Sequence, residues 1–115
     1  MNEDNLDTQS EYNEQVILDA LIKDPSDPFL LYQLGKRYFG VDNDFQLACE
    51  FFEKSLNAGA SPDDSFTFDL VECYGYALVN TGQLGKAVIL RDTFSICYKD
   101  NEQFQQLSEH IIKNY

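Results

Sequence analysis

The sequence predicts an all-α protein, a short α-solenoid of antiparallel helical hairpins with about six helices. Apolar residues recur three and four positions apart in successive segments, which is the spacing of one helical face. Turn-forming residues separate these segments, and no stretch alternates convincingly with the period of two that strands show. Two halves of the chain also match each other, as the units of a helical repeat do.

The stretch from Leu31 to Leu56 carries the clearest pattern, and the rest of the chain is organised around it. Residues 40–44 interrupt it with turn formers, so we expect two amphipathic helices folded into a hairpin. Gly35 is expected to let their backbones approach closely. Neither helix can bury its apolar face alone, so the hairpin needs neighbours on both sides. The two faces share the helical spacing, with Phe51 beside the second: Leu31, Leu34 and Tyr38, then Ala48, Phe52 and Leu56.

The chain before this hairpin divides into an arm and a first helix. Residues 1–10 are acidic and without periodicity, and we expect a disordered N-terminal arm ahead of one helical domain at residues 11–115. The first helix is predicted from about Tyr12 to Lys23, and the prolines of residues 24–28 end it. Asp27 and Pro28 suit the N-cap and first position of the second helix. The first helix has a predicted apolar stripe of Val16, Ile17, Ala20 and Leu21.

Three further helices are predicted after the hairpin. Gly59 is expected to end the third helix in a left-handed conformation. The segment 61–64 predicts the start of the fourth, because it offers a capping serine, a proline and two acids. That helix runs to about Asn80, a turn at residues 81–83 follows, and the fifth helix ends near Tyr98. The last three apolar faces are Phe66, Leu70, Val71, Tyr74 and Leu78; Leu84, Ala87, Leu90 and Phe94; and Phe104, Leu107 and Ile111.

The two halves match each other in the spacing of small residues. Gly35 and Gly75 lie 40 residues apart, and Ala48 and Ala87 lie 39 apart. The first copy contains Leu31, Leu34-Gly35, Tyr38, Ala48, Phe52 and Pro62, and the second contains Val71, Tyr74-Gly75, Leu78, Gly82 and Ala87. With these residues the chain resembles tetratricopeptide repeats over roughly residues 12–112.

The resemblance has two departures. The period is longer than the family's ~34 residues, which also makes the chain similar to Sel1-type repeats. Arg91 falls where an aromatic residue is expected, and Leu90 or Phe94 is predicted to fill that space. Both families consist of helical hairpins and serve as scaffolds and adaptors rather than catalysts. By this resemblance the first helix is the second half of an earlier repeat, and the sixth is a solvating cap.

The resemblance further implies a concave groove, lined by the first helix of each hairpin, that binds extended peptides or helices. Phe39 fits packing on a neighbouring helix equally well, whereas Tyr32 and Tyr76 lie outside the core stripes, as recognition aromatics do. Asp69 and Glu72 favour a basic partner segment and would repel the acidic tails that some relatives bind. Matching through the two glycines gives the candidate partner-binding residues Phe29, Tyr32, Lys36, Phe39, Asp69, Glu72, Tyr76 and Asn80.

Charge and composition exclude several classes of function. The net charge of −12 disfavours nucleic-acid binding, which draws on Lys and Arg. Residues 1–27 hold eight acids and one lysine, which we interpret as a solvated arm rather than a site for a basic partner. No apolar run approaches the ~20 residues of a membrane span, and the N-terminus lacks the pattern of a secretory signal.

The cysteines indicate a reducing cytoplasm. Cys49, Cys73 and Cys97 cannot all pair, and each lies in an apolar helical context, so buried free thiols are predicted. Cys97, near a helix end, is the most accessible by position, and core filling is the prediction for it as well.

No catalytic, cofactor or metal site is expected. His110 is the only histidine, and no Cys or His lies at ligand spacing from it. Residues 82–86 lack the spacing of a phosphate loop. Asp69 and Glu72 share a helical face, but such a pair is expected by chance among 20 acids. The sequence therefore favours a small cytoplasmic adaptor and not an enzyme; the alternatives are a homodimer formed through repeat edges and an accessory subunit that positions a separate enzyme.

Overall fold

Local sequence signals set most helix ends in the structure, a computed structural model that describes residues 14–115. This range contains no strand, so the prediction of an all-α protein is confirmed there. The predicted arm at residues 1–10 and the predicted helix start at Tyr12 lie outside the described residues. The helical segments are α1 (14–23), α2 (Pro28–Gly40), α3 (Phe45–Asn57), α4 (Thr67–Asn80), α5 (Leu84–Phe94) and α6 (Glu102–Asn114).

Side-chain caps begin three of these helices. The Asp27 carboxylate accepts hydrogen bonds from the backbone N–H groups of Phe29, at 2.9 Å, and Leu30, at 3.2 Å, with Pro28 at the first position. Asp44 caps α3 and Asn101 caps α6 in the same way. These bonds satisfy N–H groups that have no partner within the helix. The predicted start of α2 is confirmed.

Two predicted helix boundaries are wrong. The fourth helix begins at Thr67 and not at residues 61–64, because those residues bond to one another. The Ser61 N–H donates to the Asp64 carboxylate at 3.0 Å, and the Asp63 N–H donates to the Ser61 hydroxyl at 3.2 Å. The predicted cap thus closes a turn of its own. The fifth helix ends at Phe94, and the chain turns before reaching α6.

The glycine turns agree with the sequence. Gly59 follows α3 with a φ of +112°, and Gly82 lies between α4 and α5 with a φ of +74°. Residues other than glycine rarely adopt such positive φ values, because their Cβ is in the way. The prediction that Gly59 ends the third helix in this way is confirmed.

The centre of the described fold is α4. It packs against α2, α3, α5 and α6, while α2 also packs on α3 and α5 on α6. Leu70, Val71, Ala77 and Leu78 of α4 are fully buried. Because four helices surround it, the uncovered surface of α4 is narrow, and the charged side chains of this helix, Asp69 and Glu72, are only partly buried there.

The first helix differs from its predicted stripe. Ile17 is buried at 6% exposure, but Val16 is 42% exposed, so Val16 does not belong to the buried face. The Arg37 guanidinium of α2 lies 2.8 Å from the Glu14 carboxylate, which ties α1 to α2.

In the fifth helix, Leu90 and Phe94 are both buried, as predicted from the position of Arg91.

Two glycines allow close helix approach, but to different neighbours. A Cβ on Gly35 would lie 2.7 and 2.8 Å from ring carbons of Phe52 in α3. A Cβ on Gly75 would lie 2.8 Å from both terminal methyl groups of Leu107 in α6. The expected role of Gly35 is confirmed. The two copies matched in sequence are not equivalent in packing, because Gly35 meets the next helix and Gly75 meets the second one along.

Gly35→Ala is expected to destabilise the fold relative to Gly85→Ala. Both changes gain helix propensity, but a Cβ at Gly85 has no neighbour within 4 Å, whereas the Phe52 ring facing Gly35 is fully buried. Overpacking of this kind costs about 1–3 kcal/mol. We expect the unfolding free energies of the two variants, measured by urea titration, to differ by that amount. Equal stabilities would show that α2 and α3 can move apart enough to accommodate a Cβ at Gly35.

Candidate functional site

Asp69 joins the two helices that carry the predicted partner-binding residues. Its Oδ2 accepts a hydrogen bond from the Tyr32 hydroxyl at 2.6 Å and another from the Lys36 ammonium at 2.5 Å. The side chains of Lys36 and Asp69 are 48% and 35% exposed. We call Tyr32, Lys36 and Asp69 the Asp69 cluster. These three predicted residues are in direct contact in the structure.

The local sequence places each member of the Asp69 cluster. Tyr32 and Lys36 are four residues apart in α2, so both side chains leave the same face of that helix. Asp69 lies in the first turn of α4, where the helix dipole favours a negative charge. The contact between α2 and α4 then brings the carboxylate to both donors.

An aromatic group flanks the Asp69 cluster. The ring centroids of Phe29 and Tyr32 are 6.0 Å apart, and the Phe66 ring lies 5.3 Å from the first and 5.1 Å from the second. Phe29 remains 44% exposed. The three rings pack on one another, so Phe29 is an apolar surface patch at the edge of the cluster.

Burial and mutual charge set the ionisation of these groups. Burial, followed by the hydrogen bond to Asp69, raises the pKa of the Tyr32 hydroxyl far above its usual value. This hydroxyl therefore remains a donor at neutral pH. Burial alone lowers the pKa of Lys36, but the hydrogen bond and charge of Asp69 outweigh it and leave that pKa raised. Lys36 is thus held as a cation.

Glu72 lies beside the Asp69 cluster and is half-buried. Burial raises the pKa of its carboxyl group, the charge of Asp69 raises it further, and Lys36 opposes both. Within the described part of the chain, Glu72 makes no hydrogen bond or ion pair. The Glu72 carboxylate is therefore partly removed from water, and no described hydrogen bond or ion pair offsets its lost hydration.

The remaining predicted residues are more dispersed. The half-buried Tyr76 ring contacts His110 of α6 at 5.1 Å, and Asn80 is exposed at the end of α4. Phe39 packs on Phe45 and Phe52 of α3, at 5.4 and 6.3 Å. No described contact joins these three residues to the Asp69 cluster.

The sequence did not identify Phe66 or His110 as part of this surface. The apolar pattern predicts Phe66 on the core face of the fourth helix, although its spacing of three residues from Asp69 is a signal for a shared surface. His110 becomes a neighbour of Tyr76 only through the packing of α6 on α4, which no local pattern reveals.

We name the surface that comprises the Asp69 cluster, Phe29, Glu72 and Tyr76 the α2–α4 face. Among residues 14–115, no three His, Cys, Asp or Glu side chains are grouped as a metal site requires. No helix in this range is long and apolar enough to cross a membrane.

Comparison with protein-family models, with curated proteins and with solved structures finds no match to this chain. The resemblance to helical repeats over roughly residues 12–112 therefore rests on the residues quoted above. The function of the α2–α4 face must be argued from its own chemistry.

The thiols divide into two classes. Cys49 and Cys73 are buried at 5% and 8% exposure, as predicted, but Cys97 is exposed. Core filling by Cys97 is wrong because α5 ends before this residue, and the chain there turns along the surface. Burial, followed by the charge of Asp69, raises the pKa of Cys73 to about 12.

One thiol per chain is expected to react rapidly with a disulfide reagent at neutral pH. Cys97 is exposed, whereas Cys49 and Cys73 are shielded and their raised pKa values leave little reactive thiolate. All three should react in denaturant. Absorbance of the released thiolate measures this, and Cys97→Ser should abolish the fast phase. A fast phase that persists in Cys97→Ser would place another thiol at the surface.

Proposed function

We propose that this protein is a small adaptor that binds a basic segment of a partner protein on the α2–α4 face. The observation that carries the proposal is Glu72, a half-buried carboxylate without a described hydrogen bond or ion pair. A charge that is withdrawn from water and left unpaired is costly. An incoming Lys or Arg would pair with Glu72 and relieve its repulsion by Asp69.

The same face offers apolar anchors on either side of Glu72. Phe29 is 44% exposed, and the half-buried Tyr76 combines an apolar ring with a hydroxyl. Aromatic side chains of this kind carry much of the energy in protein interfaces. Lys36 is already paired with Asp69, so it contributes specificity mainly by repelling partner cations from its end of the face. A partner segment with an apolar residue beside a cation therefore fits best.

The order of helix contacts supports a solenoid-like arrangement of hairpins. Within the first hairpin, α2 packs on α3. The first helices of successive pairs also contact each other, because α2 packs on α4 and α4 packs on α6. This is the order expected when the first helices of successive hairpins line one side, as the resemblance to tetratricopeptide repeats implies. Such an arrangement would extend the α2–α4 face toward His110 of α6.

A homodimer is the second candidate. Leu18 and Ile22 of α1 are 38% and 80% exposed and lie four residues apart, so they form an uncovered apolar stripe. A second copy could cover this stripe through its own α1. The net charge of −12 opposes such an association, because both copies repel each other. The adaptor is favoured for that reason.

We place this adaptor in the cytoplasm. All three cysteines are free, including the exposed Cys97, which supports a reducing compartment. An exposed thiol in an oxidising compartment would be prone to intermolecular pairing.

Tyr76→Ala is expected to weaken partner binding by about 1–3 kcal/mol, or roughly 5- to 150-fold in affinity, and to leave the protein folded. Tyr32→Ala should weaken binding similarly and cost more stability, because it also removes the hydrogen bond to Asp69. The test uses the tagged full chain as bait in an extract of its host, followed by titration calorimetry with each purified partner.

Tyr115→Ala is the matched control, because Tyr115 is 76% exposed at the end of α6. Partners of the α2–α4 face should bind the control as tightly as the parent. Folded tyrosine variants of unchanged affinity would place binding elsewhere, and grossly unfolded variants would assign both rings to the core.

A further inference from the structure

A second concave surface lies between α3 and α5. Those two helices do not pack on each other, and a cavity of about 450 Å³ separates them. Its floor includes Tyr74 of α4, and Tyr76 of the α2–α4 face lies two positions further along the same helix. Two positions correspond to about 200° around an α-helix, so the cavity opens on the opposite side of α4. We call it the α3–α5 groove.

Three of the five residues that α5 contributes to the α3–α5 groove are apolar, namely Ile89, Leu90 and Phe94. Ala87, Leu90 and Phe94 form the buried face of α5, yet Ile89 on the groove wall is 66% exposed. A helix whose apolar residues are spread around it is normally covered on more than one side. The sequence of α5 therefore indicates a second contact beyond those within the described fold.

Tyr74 supplies a polar group at the floor of the groove. The residue is 6% exposed, and its ring packs on Phe52 at 6.0 Å. Its hydroxyl makes no hydrogen bond to any residue between 14 and 115. Burial, followed by the charge of Glu53, raises its pKa, so the hydroxyl is a donor at neutral pH. Because Tyr74 lines the groove, an acceptor on a docked segment can reach this donor.

Opposite charges face each other across the groove. The Lys86 ammonium of α5 lies 3.6 Å from the Glu53 carboxylate of α3, and the side chains are 54% and 49% exposed. Charge-assisted bonds are commonly about 2.7–2.9 Å long, and exposed ion pairs contribute little. An arriving cation can therefore replace Lys86 at Glu53 at small cost. The net charge of −12 also draws basic segments toward this surface.

We infer that the α3–α5 groove docks a segment of a partner protein that carries a large apolar side chain beside a Lys or Arg. The apolar side chain packs on Leu56, Leu90 and Ile89. The cation pairs with Glu53, and the Tyr74 hydroxyl donates a hydrogen bond to a carbonyl group of the segment. This surface is independent of the α2–α4 face, so the adaptor can hold two partners on opposite sides of α4.

The test selects peptides on the purified full chain from two displayed ten-residue libraries. One library fixes a central Leu, Ile or Phe with Lys or Arg within four positions, and the other replaces the cation by Glu. We expect enrichment from the basic library alone. Failure to enrich basic peptides, or equal enrichment of both libraries, would overturn the inference.

The selected peptides are then titrated against three variants by fluorescence anisotropy. Ile89→Asp should weaken binding about tenfold or more. Ile112→Asp is the matched control, because Ile112 is 58% exposed on α6 outside the groove and receives the same charge. Tyr74→Phe removes only the hydroxyl and should weaken binding roughly 2- to 10-fold. Equal affinities for Ile89→Asp and Ile112→Asp would overturn the inference.

Two further outcomes separate this inference from the proposed function. Tyr76→Ala should leave the affinity of the selected peptides unchanged; if it weakens them while Ile89→Asp does not, the α2–α4 face is their site. Sedimentation velocity tests the remaining occupant. A dimer that Ile89→Asp dissociates would show that a second copy fills the groove, and would also overturn the inference.

Discussion

The enclosure of α4 by four other helices is the constraint on which this fold depends. Most of its circumference must be apolar or small, and Gly75 is needed because the methyl groups of Leu107 occupy the space of a Cβ. The charged residues of α4, Asp69 and Glu72, are therefore confined to one strip, whereas its polar Thr67 is fully buried. This confinement brings two carboxylates together, although like charges repel. Lys36 of α2 neutralises only the first of them directly.

The different compensation of these two carboxylates links the fold to the proposed binding of a basic segment. Asp69 accepts hydrogen bonds from Tyr32 and Lys36 and, at 3.9 Å, from the Cys73 thiol, so its charge is well compensated in the free protein. Glu72 shares the same partial burial without such a donor, and the raised pKa of its carboxyl group expresses that cost. A cation of the partner would form an ion pair with Glu72, as Lys36 does with Asp69. In the proposed complex, the gain in free energy would come mainly from removing this unfavourable interaction and less from creating a new ion pair at an exposed site.

The sequence predicted the features that depend on residues close together in the chain. The Asp27 cap, the positive φ of Gly59 and the buried faces of the helices depend on local chemistry or local periodicity. Ser61 was misread because its bonds with Asp64 serve a turn as well as a helix start. The partners of Tyr76 and Phe39 depend on how helices distant in sequence pack, which periodicity does not encode. The candidate site was therefore predicted by helix face but not by contact.

Tyr74 shows why the opposite side of α4 could not be recognised from the pattern. Its spacing marks it as a core residue, and its 6% exposure agrees. The pattern does not reveal that α3 and α5 stay apart over its hydroxyl, because that gap depends on the lengths and angles of three helices. The α2–α4 face and the α3–α5 groove share α4, but the fully buried Leu70 and Leu78 leave this helix little room to shift. Ligands couple through a protein only when they favour different states of it. We therefore expect the two faces to bind independently, as sites on a rigid adaptor should.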